Sequence, residues 1–214
     1  MPSGPMDRLL PKVAVIGMGS WGRNLVRNFH QIGALATICD SSDAAEALCA
    51  KEYPSVPFVR DYRAVLANPD IAAVAVATPA VTHFDVAKAA LEAGKDVFVE
   101  KPLSTEVAQG ETLAKLATDA GRVLMVGHIL RYHPAVIRLK EMIQQGTLGR
   151  INYIYSNRLN IGKIRSEENI LWSFAPHDIS VILALLDESP VRVAAQGGAY
   201  LNPDVYDVTL TQFR

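Results

Sequence analysis

The feature that most constrains this chain is a glycine run, Gly17-Met18-Gly19-Ser20-Trp21-Gly22. It stands directly after the β-branched stretch Val13-Ala14-Val15-Ile16 and opens the amphipathic stretch Ser20 to Ile32. In a strand, G-x-G-x-x-G, helix order, Gly17 permits a tight turn, Gly19 lets backbone N–H groups approach a pyrophosphate, and Gly22 lets the helix pack closely on the strand. The start of the helix offers unpaired N–H groups and a partial positive charge to phosphates. Asp40 lies 18 residues beyond Gly22, at the end of a second strand pattern. A carboxylate there accepts hydrogen bonds from ribose hydroxyls and repels a 2′-phosphate, so the spacing predicts NAD rather than NADP. The competing reading is a glycine turn followed by a surface aspartate. No Lys-Ser or Lys-Thr pair follows Gly22, which excludes a P-loop.

From Lys12 to Val126 short β-branched runs alternate with amphipathic segments, the pattern of repeated βαβ units in a parallel sheet covered on both faces. The expected strands are Lys12 to Ile16, Ala34 to Asp40, Val56 to Arg60, Ile71 to Ala77, Asp96 to Glu100 and Val123 to Gly127. Helices are expected at Ser20 to Ile32, Ser42 to Glu52, Tyr62 to Ala67, Thr82 to Ala93 and Thr105 to Ala120, several stopping at Gly33, Gly94 or Gly121. After Gly127 the character changes. A helix is expected at Ala135 to Gln145, an alternating strand at Ile151 to Ile161, a short helix after Pro176 from Ile179 to Leu186, and strands at Val191 to Gly197 and Val205 to Phe213. The chain thus divides into an α/β domain, residues 1–128, and the beginning of an α+β domain, residues 129–214.

Composition narrows the function classes. The 214 residues carry 21 basic and 22 acidic side chains for a net charge of -1, which leaves no basic footprint for a nucleic acid. The longest apolar-rich stretch, Ile71 to Val81, is far short of the ~20 residues of a membrane span. Met1 to Pro11 has no apolar core of a secretory signal, so the expected location is the cytoplasm. Cys39 and Cys49 form no CxxC or Cys/His cluster; they read as reduced packing residues, and no metal is expected.

Four further segments carry a family resemblance: Thr78-Pro79-Ala80-Val81-Thr82-His83, Glu100-Lys101-Pro102 at the end of a strand, Gly127-His128-Ile129-Leu130-Arg131-Tyr132-His133-Pro134, and the later His177. Together with the glycine loop, and in this order, they resemble the Gfo/Idh/MocA oxidoreductases. The resemblance implies a Rossmann parallel sheet with helices on both faces, followed by an incomplete α+β domain with an open, mainly antiparallel sheet. It implies that Lys101 touches both nicotinamide and substrate hydroxyl, that Pro102 follows a commonly cis bond, and that His177 accepts the hydroxyl proton while hydride leaves for nicotinamide. Imidazole suits that task because its ordinary pKa, about 6.5, lies near working pH. Independently, ligands of open parallel sheets bind outside the carboxyl ends of the strands, where Gly17, Asp40, Thr78 and Lys101 all fall. The alternative for Lys101 is a surface pair with Glu100, and for His177 a structural histidine at a helix start.

Expected cofactor contacts are Gly17, Met18, Gly19, Ser20, Trp21, Gly22, Asp40, Thr78, Pro79, Glu100 and Lys101. His83 is a weaker candidate, with packing or capping as its alternative. Expected substrate contacts are Arg131, Tyr132, Asn157, Arg158, Lys163, Arg165 and Asp178, with Asn160 nearby; Arg158, Lys163 and Arg165 form a basic cluster suited to an anionic substrate such as a nucleotide sugar. Ser173 stands where many members of the resembled family carry an Asp four residues before the histidine. That departure argues against an inositol-type polyol dehydrogenase and leaves Asp178 as a possible orienting partner of His177. The expected function is NAD-dependent interconversion of a secondary hydroxyl and a ketone on a sugar, in particular a nucleotide-linked one. The alternatives are a cyclic polyol dehydrogenase and a non-catalytic dinucleotide sensor. Members of the resembled family usually exceed 300 residues, so the sequence reads as C-terminally truncated, and its final sheet as a surface for homo-oligomers.

Overall fold

A computed structural model describes residues 10–159 and 169–214. The chain divides into two compact units, Met1–Gly127 and His128–Arg214. The first unit holds six parallel strands: β1 Val13–Ile16, β2 Leu35–Cys39, β3 Phe58–Val59, β4 Ala73–Val76, β5 Asp96–Val99 and β6 Leu124–Val126, in the order β3-β2-β1-β4-β5-β6. Between them run α1 Gly22–Gln31, α2 Asp43–Glu52, α3 Tyr62–Ala67, α4 His83–Glu92 and α5 Val107–Asp119. This is a Rossmann arrangement. β1 pairs on one side with β2, Ile16 beside Cys39, and on the other with β4, Ile16 beside Val76. The strand order therefore reverses between β1 and β4, which opens a crevice at their carboxyl ends.

The sheet is buried on both faces, which explains its continuous apolar strands. On one face Ala14, Ile16, Val74, Val76, Val97 and Val99 pack with Val86, Ala90 and Leu91 of α4 and Leu113 of α5. On the other, Val13, Val15, Ile38 and Ala75 pack with Val26 of α1 and with Ala45 and Cys49 of α2. Truncating a side chain as enclosed as Leu91, 1% exposed, costs about 2–5 kcal/mol. Buried Lys95 donates from Nζ to the carbonyl oxygens of Asn68 at 2.7 Å and Ile71 at 2.8 Å, tying the turn before β4 to the start of β5.

The second unit contains a 3-10 turn Ile129–Tyr132, α6 Pro134–Gln144, α7 Ile170–Leu186 and an antiparallel pair, β7 Val193–Gly198 with β8 Val208–Phe213. Two expectations are corrected here. The strand expected over 151–161 is absent from residues 151–159, and 160–161 lie outside the described residues. Its alternation supplies two faces, but a strand also needs a neighbour for its backbone groups. Among the described residues β7 and β8 pair only with each other, and Tyr153 and Tyr155 stay exposed.

The helix expected to begin after Pro176 instead begins at Ile170 and carries Pro176 inside it. Asn169 sets the start, its side-chain oxygen accepting from the Trp172 N–H at 3.1 Å. A proline inside a helix removes one backbone hydrogen bond and strains the preceding turn. Here the apolar run from Ile179 to Leu186 carries the helix on to Asp187, where φ of +57° ends it. His177 is therefore a mid-helix residue, not one at a helix start. Among the described residues no helix is long and apolar enough to cross a membrane.

Candidate functional site

The crevice at the carboxyl ends of β1, β2 and β4 is a cavity of about 300 Å³ lined by Ile16, Gly17, Gly19, Asp40, Thr78 and Pro79, with Cys39, Ser41, Arg60, Tyr62 and Ala77. Gly17 sits at φ +97°, and a Cβ there would come within 2.6 Å of the Ala77 carbonyl oxygen. A Cβ on Gly22 would collide with the carbonyl oxygen of Gly17. Gly19 differs: a Cβ on it would meet nothing within 4 Å, because its open side faces space. The three glycines thus divide the work as the loop chemistry requires, two for close backbone packing and one for an unobstructed approach. Among the described residues no side chain caps α1, and its first turn carries no acid. The loop and helix start accordingly fit a diphosphate: N–H donors, a positive dipole end and no carboxylate competing in that turn.

Asp40 follows β2 directly and does more than the sequence suggested. Its Oδ2 accepts from the Met18 N–H at 2.7 Å and its Oδ1 from the Ser42 N–H at 2.9 Å, so it fastens the glycine loop to the start of α2. Burial raises its pKa, but the amides of Met18, Ser42 and Ser41 and the Ser42 hydroxyl outweigh this and hold the carboxyl below its ordinary range.

Glu100 and Lys101 follow β5, and the Lys101–Pro102 bond is cis. The Glu100 side chain is buried, and its Oε1 accepts from the Trp21 indole N–H at 2.6 Å. Burial pushes the Glu100 carboxyl up; the Trp21 indole, the Lys101 amide and the Lys101 charge oppose this without cancelling it. His83 is 2% exposed. Its Nδ1 lies 2.6 Å from the Pro102 carbonyl oxygen and its Nε2 2.9 Å from that of Thr78. Expected as a weak cofactor contact, His83 instead clamps the backbone behind the crevice, joining the turn after β4 to the turn after β5. Ser20 is exposed on the loop, and the Thr78 hydroxyl bonds the Thr82 hydroxyl at 2.7 Å. Cys39 and Cys49 are buried and form no disulfide. Burial, with Asp40 and Asp61 nearby, pushes the Cys39 thiol up to about 12, so it is inert as a nucleophile. No metal-binding cluster exists among the described residues.

In the second unit Asp178 ties α7 to the segment before it. Its Oδ2 accepts from Arg158 Nε at 2.6 Å and its Oδ1 from the Ser156 hydroxyl at 3.0 Å, while the Arg158 guanidinium lies 5.7 Å from the Phe174 ring centre. The Arg158 charge expected for an anionic substrate is thus matched internally, and Asp178 anchors the segment before α7. Ser173 and His177 stand one turn apart on the same side of α7. Arg131 and Tyr132 are exposed in the 3-10 turn, and Asn157 is exposed beside Arg158. Asn160, Lys163 and Arg165 lie outside the described residues.

Sequence reasoning missed Arg60 and Tyr62 at the crevice. Arg60 directly follows β3, so the carboxyl-end rule applied to Lys101 points to it as well.

The profile of the oxidoreductase family with an NAD-binding Rossmann fold matches residues 11–128. Over 194 residues the chain is 32% identical to the UDP-N-acetylglucosamine 3-dehydrogenase of Acidithiobacillus ferrooxidans, covering 88% of this chain and 58% of that protein. It is 31% identical over 200 residues to the inositol 2-dehydrogenase of Rhodococcus jostii, covering 88% and 54%. A solved structure of the Acidithiobacillus ferrooxidans UDP-N-acetylglucosamine 3-dehydrogenase superposes with a TM-score of 0.84 at 30% identity, covering 96% of this chain and 63% of that one. The chain therefore spans a little over half the length of the curated relatives it matches. With its glycine loop, its parallel sheet and the family profile in register, the chain belongs to the Gfo/Idh/MocA oxidoreductases, with sugar and polyol dehydrogenases among its relatives.

Proposed function

We propose that the chain belongs to an NAD-dependent dehydrogenase that interconverts a secondary hydroxyl and a ketone on a sugar, with a nucleotide-linked sugar as substrate. The observation that carries the cofactor half is the Asp40 carboxylate, anchored to the glycine loop, held towards its charged form and lining the crevice. The substrate half rests on similarity to a UDP-N-acetylglucosamine 3-dehydrogenase along 88% of the chain, and on Ser173, which stands where many members of the family carry an aspartate.

The glycine loop and the start of α1 would hold the diphosphate and Asp40 the adenosine ribose, while Lys101 reaches the reacting end. Nicotinamide, when bound, supplies the hydride acceptor. Lys101 donates a hydrogen bond to the substrate oxygen and stabilises it as it becomes alkoxide-like, and His177 takes the hydroxyl proton onto its ring. In the reverse direction His177 returns that proton to the ketone oxygen.

The test is a panel of UDP-linked amino sugars, free sugars and inositols, followed by NADH absorbance, on this chain and on a longer version. NADH formed with UDP-sugars and not with inositols supports the reading. Turnover of inositols alone would replace it with the polyol reading. Dinucleotide binding without turnover of any alcohol by either version would leave a sensor.

A further inference from the structure

The rim of the crevice beside Asp40 holds a cation that is already engaged. Arg60 lines the cavity from the carboxyl end of β3, yet its Nη2 donates to Asp43 Oδ1 at 2.6 Å and also to the Glu46 carboxylate. Its Nη1 bonds the Ser41 carbonyl oxygen at 3.4 Å. Asp43 and Glu46 both lie in the first turn of α2, just after Asp40. This rim therefore sets three carboxylates, Asp40, Asp43 and Glu46, against one guanidinium. A neutral ribose 2′-hydroxyl is compatible with that balance, because it can donate to Asp40. A 2′-phosphate is not: it needs a guanidinium fork, and the Arg60 fork is turned onto two acids of α2.

We propose that Asp43 and Glu46 are specificity-determining residues: by holding Arg60 against α2 they withhold the cation a 2′-phosphate would require, and so keep the crevice selective for NAD. The inference rests on the dinucleotide reading and deepens it. Asp40 excludes the phosphate by repulsion; Asp43 and Glu46 exclude it by occupying the one cation among the described residues that lines the cavity. The Arg60 side chain is 50% exposed, so its pairs are screened by water, and their loss leaves the core intact.

Calorimetric titration of NAD and of NADP onto three proteins tests this: the unaltered chain, Asp43→Asn/Glu46→Gln, and the same double variant with Arg60→Ala. Thermal melts confirm that all three fold. The expected result is NAD preference in the unaltered chain, a gain of about tenfold in NADP affinity relative to NAD in the double variant, the size of one charge-assisted pair, and loss of that gain when Arg60 is removed. An unmoved NADP-to-NAD ratio in the double variant overturns the proposal. So does a gain that survives Arg60→Ala, which would assign the effect to net charge alone. Failure of the unaltered chain to bind NAD, or a preference for NADP, would instead sink the underlying dinucleotide reading and this inference with it.

Discussion

The Trp21 indole N–H donates to the Glu100 carboxylate at 2.6 Å, joining the glycine loop to the residue before Lys101 across 79 positions of sequence. The bond matters because Glu100 is buried, and burial raises its pKa above the ordinary 4.5 despite the Trp21 donor and the neighbouring Lys101. Between the unfolded value and the raised native one, the folded chain holds more of a proton than the unfolded chain. Stability therefore falls as pH rises through that window; the contribution is complete below about 4.5 and lost above the native value. Glu100→Gln keeps an acceptor for Trp21 and removes the titration. The variant should melt higher than the parent at pH 7.5, and the difference should shrink towards pH 4.5, each kcal/mol moving Tm by roughly 2–4 °C in a chain of this length. A gap in Tm that is flat with pH would show that Glu100 does not titrate as described.

The glycines of the loop separate folding from binding. Gly22→Ala places a Cβ against the Gly17 carbonyl, so it should destabilise the first unit by roughly 1–3 kcal/mol or more, read as a lower denaturation midpoint. Gly19→Ala meets no atom within 4 Å and should leave the midpoint unchanged. Its methyl group would instead stand where a diphosphate must approach, so dinucleotide affinity should fall by about tenfold or more, or 1.4 kcal/mol. Equal affinities for Gly19→Ala and its parent would remove the loop from the binding site.

The contrast between these residues and Trp21 shows what a linear reading can reach. Strands β1, β4 and β5 were legible because burial on both faces writes an uninterrupted apolar run. The places of the loop, Asp40 and Lys101 just beyond strand ends were legible because those strands were. The Trp21–Glu100 bond, the two carbonyls around His83 and the Arg60–Asp43–Glu46 cluster were not, since each joins residues whose approach only the tertiary fold decides. In the second unit the alternation over 151–161 suggests a strand, but alternation does not say what could pair with it, and residues 151–159 form none. Pro176 was read as marking a helix start, although the Asn169 cap had already begun α7. The bonds of Asp178 to Ser156 and Arg158 were likewise hidden, since they span 22 and 20 positions of sequence.

His83 carries a structural prediction. Its ring is enclosed, with its two nitrogens 2.6 and 2.9 Å from carbonyl oxygens, so His83→Ala leaves a cavity and removes a donor from this buried polar site. The expected cost is about 2–5 kcal/mol, measured by denaturant unfolding. Because Pro102 supplies one of the carbonyls, the substitution should also loosen the turn that presents Lys101, raising KM and lowering kcat together in any surviving folded protein. A loss below about 0.5 kcal/mol would mean that the ring is solvent-replaceable and no clamp.

His177 gives the sharpest catalytic prediction because, among the described residues, those that line the dinucleotide cavity belong to the first unit, whereas His177 belongs to α7 of the second. A general base acts on the substrate proton and makes no demand on the diphosphate or ribose sites. His177→Ala in the full-length enzyme should therefore lower kcat by roughly 10² to 10⁴ while NAD titrates as in the parent. His177→Asn should do the same, since an amide preserves polarity and size but cannot accept the proton. Lys101→Met should differ in kind: it removes a donor to the developing alkoxide and should depress kcat while the general base stays in place. Steady-state rates unchanged in His177→Asn would take the imidazole out of the reaction.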